Sequence, residues 1–304
     1  MNLLALIGAL LLTYYRPHQS LDLLQRIMAP IAQWLERNFN GGKNRHGFLA
    51  WFLGAFVPSL IIGAIYYLLL YVQFLLGLIF GIAVLYFILR CSQFERRAEQ
   101  IVAALRDFNI DHARSLYRDW EGQEASSLTD AQLSRVSIET ALKRAHQGLF
   151  GPVLWFMLLG PAGALLYRLT FLLQQFWQSD ENPRFQRFAR RAFDWLDWLP
   201  SRITAASFAI VGDFEDAVYC WRTQSESWPD KALGIILASG AGALGVRLGD
   251  PLPEKGVIVY RPELGLGDEA DADYLQSAVG LVWRVLVLMV GLLLLMTVAY
   301  WLGN

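Results

Sequence analysis

The chain has 304 residues, of which 55% are hydrophobic and only 17% are charged, and its mean hydropathy is +0.34. A soluble fold of this length would have too small an interior for so many apolar side chains, so the composition indicates a membrane protein and excludes disorder and collagen. The 26 basic and 27 acidic residues nearly cancel, which argues against a nucleic-acid-binding module.

The first predicted element is the apolar run from Leu3 to Leu12, which is too short to cross a bilayer. No basic residue precedes it and no small-residue cleavage site follows it, so we do not expect a removable signal peptide. We predict that residues 1–47 form an interfacial or cytoplasmic segment.

Residues 48–89 contain no Asp, Glu, Lys, Arg or His. As a single helix this run would be about 63 Å long, twice the thickness of a bilayer core. We therefore predict a transmembrane hairpin of two spans that turns near Tyr71 to Gln73. Basic residues flank the hairpin on both sides, so both flanks are expected in the cytoplasm. Residues 90–148 are accordingly predicted to form a cytoplasmic helical lobe.

Residues 149–278 are predicted to form the core of the fold, with membrane or re-entrant helices and an acidic loop. The apolar stretch 149–177 contains the turn-prone pair Gly160-Pro161. A single crossing would place the basic residues between 184 and 202 outside the cytoplasm, against the positive-inside rule. We therefore predict a broken or re-entrant hairpin bent at Gly160-Pro161.

The last predicted element is a transmembrane helix over residues 279–304, whose charge-free part is long enough to cross the bilayer once. The predicted fold class is an all-α, polytopic helical membrane protein with re-entrant or broken helices and a cytoplasmic helical lobe. The C-terminus is expected outside the cytoplasm.

Polar side chains within apolar stretches are the best functional candidates, because a charge is costly to bury in a membrane. Arg168 offers a planar donor fork to a phosphate or carboxylate, and its alternative role is an internal ion pair or a side chain that reaches the cytoplasmic interface. Glu139 shares a helical face with His146, which predicts either a phosphate pocket or a solvated amphipathic face.

Asp194 and Asp197 lie three residues apart before Pro200, and the pair either holds Mg²⁺ or marks a helix end. Because no third carboxylate is nearby, we predict no metal site. The small residues from Gly240 to Gly245 predict close helix packing and not a dinucleotide loop, because no strand precedes them.

Three blocks of sequence follow one another in an order that is typical of a known family. They are residues 149–168, Trp198-Leu-Pro-Ser-Arg-Ile-Thr204, and Ala241-Gly-Ala-Leu-Gly-Val-Arg-Leu-Gly249 followed by Pro251. Over residues 137–288 the chain resembles the CobD/CbiB family of inner-membrane cobalamin-biosynthesis proteins. The related AmpE membrane proteins, associated with β-lactamase induction, share the earlier blocks.

The resemblance implies a multi-pass protein of the bacterial inner membrane. It also implies an enzyme that joins cobyric acid to an aminopropanol-type amine, using ATP, in an amide-forming step. Glu139 matches the family pattern, but several other polar positions of the pattern are changed. The residues that replace family Glu, Asn or Asp positions are Lys143, Arg144, Gln147, Phe171, Gln174, Phe193 and Asp197.

These replacements favour a diverged protein, because ATP-dependent acyl chemistry uses carboxylates or amides to hold a metal and orient leaving groups. Our first hypothesis is an AmpE-like sensor or ligand-binding component without catalysis. The alternative is a cobalamin-biosynthesis amide synthase, in which case ATP and Mg²⁺ are the expected cofactors. No catalytic residue is assigned under the first hypothesis, and no cofactor is predicted with it.

The candidate binding residues are Glu139, Arg168, Asp194 and Arg202, which we predict to line a cytoplasm-facing cavity. The arginines are expected to receive an anionic ligand, namely a corrinoid, a nucleotide or a cell-wall fragment. The expected partners are therefore the lipid bilayer and this anionic small molecule, and not a nucleic acid.

Overall fold

The computed structural model describes residues 2–15, 23–40, 44–89, 91–177, 183–254 and 257–303, and these are predominantly helical. Within these ranges, three helical segments are by length and composition long and apolar enough to cross a membrane: Arg45–Val72, Asp130–Phe176 and Ala272–Ala299. The predicted class, an all-α membrane protein with broken helices, is confirmed. The one small departure among these residues is a two-stranded antiparallel hairpin within the predicted acidic loop.

The chain divides into two compact units, which are described separately. Unit 1 comprises Met1–Cys91 and Gly148–Pro200, and unit 2 comprises Ser92–Gln147 and Ser201–Asn304. Two of the boundaries lie within two residues of the predicted edges of the 90–148 lobe. The lobe is continued, however, by the C-terminal third of the chain, whereas residues 149–200 join the N-terminal helices.

Unit 1 is built from six α-helices, a π-helical turn and the first part of a seventh α-helix, counted over the described residues. They are α1 (Asn2–Tyr15), α2 (Leu23–Phe39), α3 (Asn44–Trp51), the π-turn Phe52–Phe56, α4 (Val57–Val72), α5 (Phe74–Ile88), α9 (Gly151–Phe176) and the N-terminal part of α10 (Pro183–Val211). Helix α1 buries Ala5, Leu6 and Ala9 and packs against α5.

The hairpin of α4 and α5 turns at Gln73, whose extended backbone (φ −159°, ψ 127°) separates the two helices. Gly77 then lies against Leu70, in a position where a side chain would collide. The predicted break is therefore confirmed. Helix α5 has only 15 residues, or about 22 Å of helix, which is shorter than the predicted span.

Helix α9 is broken at Gly160, whose positive φ of 65° and ψ of −155° depart from helical geometry just before Pro161. The ring of Tyr167 contacts Gly151, although residues 16 apart in a straight helix would be about 24 Å apart. The chain therefore reverses direction at the predicted Gly160-Pro161 pair, and the broken helix is confirmed.

Unit 2 is also helical, apart from the small hairpin. Its elements are α6 (Cys91–Arg106), α7 (Ile110–Glu121), α8 (Asp130–Ala145), the π-turn His146–Phe150 up to Gln147, the C-terminal part of α10, α11 (Phe214–Gln224), the 3₁₀ turn Ser225–Ser227, α12 (Lys231–Leu244), β1 (Leu252–Glu254), β2 (Val257–Val259) and α13 (Ala272–Gly303). Helix α8 begins at a capping box of Thr129 and Gln132 and packs against α7, α12 and α13.

The small residues of α12 allow close approach to α10 and α11. Gly242 lies against the backbone of Asp216 and Ala217, and the Cβ position of Gly240 is 3.6 Å from the ring of Phe208. Gly245 ends the helix with a positive φ of 66°. The packing role predicted for residues 240–245 is therefore confirmed.

Candidate functional site

A cavity of about 160 Å³ lies within unit 2, between α7, α8, the start of α12 and the loop that follows α12. Its walls are mainly polar, with charged groups of both signs. The residues that define its chemistry are Tyr117, Glu121, Glu139, Lys143, Trp228 and Arg261.

Glu139 is the buried carboxylate of this cavity, with 8% of the residue exposed. Its Oε1 accepts a hydrogen bond of 2.8 Å from the backbone N–H of Gly249, and both carboxylate oxygens accept from the guanidinium of Arg261. Arg261 also lies over the ring of Trp228, with its Cζ 5.2 Å from the ring centroid. The Glu139 charge is thus neutralised where desolvation would otherwise be most costly.

Arg261 keeps one donor without an acceptor. Its Nε is buried and has no hydrogen-bond partner among the described residues. Buried donors are usually satisfied in folded proteins, so the contacts to Glu139 and Trp228 leave this guanidinium incompletely satisfied.

Glu121 is the second carboxylate, at the end of α7. Its oxygens accept hydrogen bonds from Lys143 Nζ and, at 2.9 Å, from Arg144 Nη2. Burial by itself raises the pKa of Glu121, but the charges and hydrogen bonds of Lys143 and Arg144 outweigh burial and leave the pKa below its ordinary value. Glu121 is therefore ionised at neutral pH.

Tyr117 places a phenol between the two carboxylates. Burial raises the pKa of Tyr117, and the negative charges of Glu121 and Glu139 raise it further, while a hydrogen bond with Thr140 and the charge of Arg261 act in the opposite direction. The net pKa is raised, so the hydroxyl stays protonated and can donate a hydrogen bond.

The loop that covers this region is fastened to α8. Arg135 Nη1 donates to Gly249 O at 3.3 Å and to Asp250 Oδ2 at 2.9 Å, while Glu139 accepts from the N–H of the same glycine. Gly249 has a φ of 76°, and a side chain there would collide with the carbonyl of Pro262. The family block that ends at Gly249 therefore positions the loop against Glu139.

The size of the cavity restricts what it can hold. Pockets for drug-sized ligands enclose roughly 300–1,000 Å³, so this cavity of about 160 Å³ has the size for a small polar molecule. Two carboxylates and two cations on its walls match a ligand that carries both an ammonium and an anionic group.

The four predicted binding residues are divided between the two units. Glu139 lines the cavity of unit 2. Arg168 belongs to unit 1, is 3% exposed and lies with its Cζ 5.3 Å from the ring centroid of Phe171, one of the positions that departs from the family pattern. Asp194 is exposed on the unit 1 part of α10, and Arg202 is half-buried on the unit 2 part. That the four residues bind one ligand together stays a prediction.

The remaining polar candidates differ in burial. Asp197 is 3% exposed and accepts a hydrogen bond of 2.8 Å from the hydroxyl of Tyr167, whereas Asp194 is exposed. His146 is 1% exposed, with its Nδ1 2.9 Å from Thr204 Oγ1. Among the described residues no group of three or more His, Cys, Asp or Glu side chains gathers in metal-binding geometry.

Sequence analysis missed Tyr117, Glu121, Trp228 and Arg261 as cavity residues. Glu139 and Arg261 are 122 positions apart, so no local spacing reveals the pair. One indirect signal was present in the sequence. Lys143 and Arg144 replace polar residues of the family pattern, and two adjacent cations on a buried helix require a carboxylate partner, which is Glu121.

Comparison with known proteins places these features in a family context. A family model described as CobD/Cbib protein matches residues 13–282. A protein of Stutzerimonas stutzeri named cobalamin biosynthesis protein CobD is 33% identical over 289 residues, covering 92% of this chain and 93% of that relative. A protein of the same name from Chromobacterium violaceum is 34% identical over 69% of this chain and 68% of that relative. Another from Brucella suis is 26% identical over 90% of each chain. No solved structure matches the chain.

Proposed function

Because the chain belongs to the CobD/CbiB family, we propose that it acts in cobalamin biosynthesis as an amide synthase that joins cobyric acid to an aminopropanol-type amine with ATP. The observation that carries the proposal is the similarity to proteins named for cobalamin biosynthesis over 92% of the chain. This similarity favours the synthase over an AmpE-like sensor.

The unit 2 cavity is the proposed site for the amine substrate. A small amino alcohol phosphate carries an ammonium group, which Glu121 and Glu139 attract, and a phosphate, which Lys143 and Arg261 attract. Binding energy from the phosphate would orient the amine for attack.

The carboxylates also have a role in proton transfer. An ammonium group must lose a proton before its nitrogen can form an amide bond, and a carboxylate within hydrogen-bond reach can accept that proton. Glu139 is held in place by Gly249 and Arg261, so it is the better positioned acceptor. Arg261 is its positioning residue.

A divalent cation does not fit this cavity. Glu121 and Glu139 are outnumbered by their partners Lys143, Arg144 and Arg261, and this net positive charge disfavours a divalent cation but not a ligand that also carries a phosphate. ATP supplies the activation of the acid in the proposed reaction. We assign no Mg²⁺ position to the cavity and derive no step through the nucleotide.

A second function is favoured by one specific observation. Lys143 and Arg144 stand where the family resemblance implies other polar side chains, and both pair with Glu121. An AmpE-like sensor without catalysis would use the same cavity to bind a small anionic molecule. This candidate predicts binding without amide formation.

One experiment separates the two functions. The purified full chain in detergent is incubated with cobyric acid, aminopropanol phosphate, ATP and Mg²⁺, and the amide product is measured by mass spectrometry. The synthase predicts product from the wild type, little from Glu139→Gln, and a normal amount from Glu99→Gln, which changes an exposed carboxylate on α6. Absence of product together with a ligand-dependent rise in melting temperature would instead establish the sensor.

A further inference from the structure

The exposed face of α10 in unit 1 combines arginines with tryptophans. Arg187, Arg191, Trp195 and Trp198 follow at intervals of four, four and three residues and therefore form one stripe along the helix. Trp195 is 82% exposed and Trp198 is 56% exposed. Arg190, at the edge of the stripe, is exposed as well.

The opposite face of α10 is fixed by packing. Phe185, Ala189 and Phe193 are buried, and the ring of Phe193 lies 5.4 Å from that of Tyr167 between centroids. The helix therefore cannot rotate to bury its tryptophans within unit 1. Two large aromatic side chains remain on the outside, beside three positive charges and the carboxylate of Asp194.

Helix α2 also has an exposed stripe, but this stripe is apolar and contains no arginine. Leu23, Ile27, Ile31 and Trp34 have the same spacing as the α10 stripe and are between 40% and 58% exposed. Met28, Ala32 and Leu35 form a separate, buried face. A third face carries the exposed residues Arg26 and Arg37. The helix thus presents one face to the protein, one to an apolar environment and one to a polar environment.

The two helices are joined within unit 1 by Trp177. Its Nε1 donates to the carbonyl of Ala32 in α2 at 3.1 Å, and its ring packs against Phe185 of α10 with centroids 4.8 Å apart. Trp177 is fully buried. The exposed stripes of α2 and α10 therefore belong to one packed assembly.

We propose that α2 and the first half of α10 lie on the membrane surface and bind anionic phospholipid headgroups. Tryptophan prefers the boundary between headgroups and acyl chains, and arginine binds phosphate through two parallel hydrogen bonds. A helix with apolar and basic faces of this kind lies in the plane of the interface. Unit 1 also contains Arg45–Val72, which is long and apolar enough to cross a membrane. Its side chains Leu60 and Leu68 are more than 60% exposed, as expected for a helix in contact with lipid.

The role of the arginines is tested by melting the purified full chain in detergent with added phosphatidylglycerol or phosphatidylcholine. We expect phosphatidylglycerol to raise the melting temperature more than phosphatidylcholine does. The variant Arg187→Gln/Arg190→Gln/Arg191→Gln should lose most of this difference, while its melting temperature in phosphatidylcholine stays that of the wild type. Inorganic phosphate should not replace the lipid.

A matched control removes the same charge from exposed positions in unit 2. Arg96→Gln/Arg118→Gln/Arg222→Gln should keep the phosphatidylglycerol effect. Equal loss in both triple variants, or no preference for the anionic lipid in the wild type, overturns the proposal.

The position of Trp195 gives an independent test that does not depend on charge. The emission of Trp195 is obtained as the difference between wild type and Trp195→Phe, both reconstituted in lipid nanodiscs. Lipids that carry a quencher near the headgroup should quench this emission more strongly than aqueous acrylamide does. Quenching by acrylamide alone would show that the stripe faces water or awaits a soluble partner, and would overturn the proposal.

Discussion

Individual buried charges in unit 2 are stabilised by specific partners. Removing one partner lowers the free energy of unfolding by more than the intact pair contributes to it, because the remaining charge is left buried. Glu139 and Arg261 have side chains that are 10% and 17% exposed. If one member is removed, the other stays in a poorly solvated position without compensation. The same loss at a solvated pair has little effect, because water replaces the partner.

We expect Arg261→Met to lower the free energy of unfolding by about 3 kcal/mol, because Glu139 would stay buried without its cation. The double variant Glu139→Gln/Arg261→Met should be more stable than Arg261→Met alone. Unfolding of the full chain in mixed micelles with SDS measures both values.

The control for this prediction is Arg247→Met. Arg247 lies 3.9 Å from Glu263, and both side chains are more than half exposed. Its loss should cost no more than about 0.5 kcal/mol. Equal destabilisation by the two arginine variants would contradict the buried-pair explanation.

The paired state of Glu121 gives stability that depends on pH. Its pKa in the folded protein is lower than in the unfolded chain, so its contribution is fully present above the unfolded pKa of about 4.3. The contribution is lost as pH falls from there through the lowered folded-state pKa. We expect Glu121→Gln to melt below the wild type at pH 6.

The difference between wild type and Glu121→Gln should shrink as pH is lowered from 5 towards 3, because protonation of the wild-type carboxyl mimics the variant. Melting temperatures in detergent across this range measure the effect. A difference that stays constant or grows on acidification would show that Glu121 is not held ionised by Lys143 and Arg144.

At the scale of whole elements, breaks in the helices depend on a few residues with small or restricted backbones. Gly160-Pro161 reverses α9, and Gln73 separates α4 from α5. The reversal requires close contact between the two arms of α9. Gly151 provides it, because a side chain at this position would meet the ring of Tyr167.

We therefore expect Gly151→Ala to destabilise unit 1 by about 1–3 kcal/mol, the usual cost of overpacking a close contact. The Tyr167 ring cannot move away freely, since its hydroxyl donates to the buried Asp197 at 2.8 Å. Unfolding in mixed micelles again measures the cost. Gly291→Ala on α13 is the control, because no atom lies within 4 Å of its added methyl group. A Gly151→Ala variant as stable as Gly291→Ala would show that the two arms of α9 are not in contact.

Sequence predicted the helix breaks better than it predicted the cavity. A break is signalled locally, by glycine next to proline or by an uncharged run longer than a bilayer, and both signals identified the observed turns. The shortness of α5 follows from the position of its turn, because Gln73 lies only 17 residues before Arg90. Glu139 was identified as a candidate, but its partner Arg261 lies in a loop 122 residues away. Such pairs depend on the tertiary fold and leave no periodic pattern.

At the scale of the whole molecule, the apolar surface indicates how the chain meets lipid. From its middle onwards, α13 exposes apolar side chains: Val287, Leu295 and Met296 are each at least 65% exposed. A helix of 32 residues is about 48 Å long, which exceeds the bilayer core. Its N-terminal part is fixed in unit 2 by a hydrogen bond of 2.9 Å from Trp283 Nε1 to Glu95 Oε1.

Together with the cytoplasmic position predicted for residues 90–148 from the basic residues that flank the 48–89 hairpin, these features predict that α13 leaves unit 2 and crosses the membrane once. Alkaline phosphatase fused after Gly303 should be active, since this reporter folds only outside the cytoplasm, and green fluorescent protein at the same position should be dark. Fusions after Gln123, in the segment between α7 and α8, should give the reverse result. A fluorescent fusion at Gly303 would contradict a single crossing by α13. In that case the C-terminus would lie on the same side as the lobe, and the apolar face of α13 would have to be covered by another part of the protein or by a second copy of the chain.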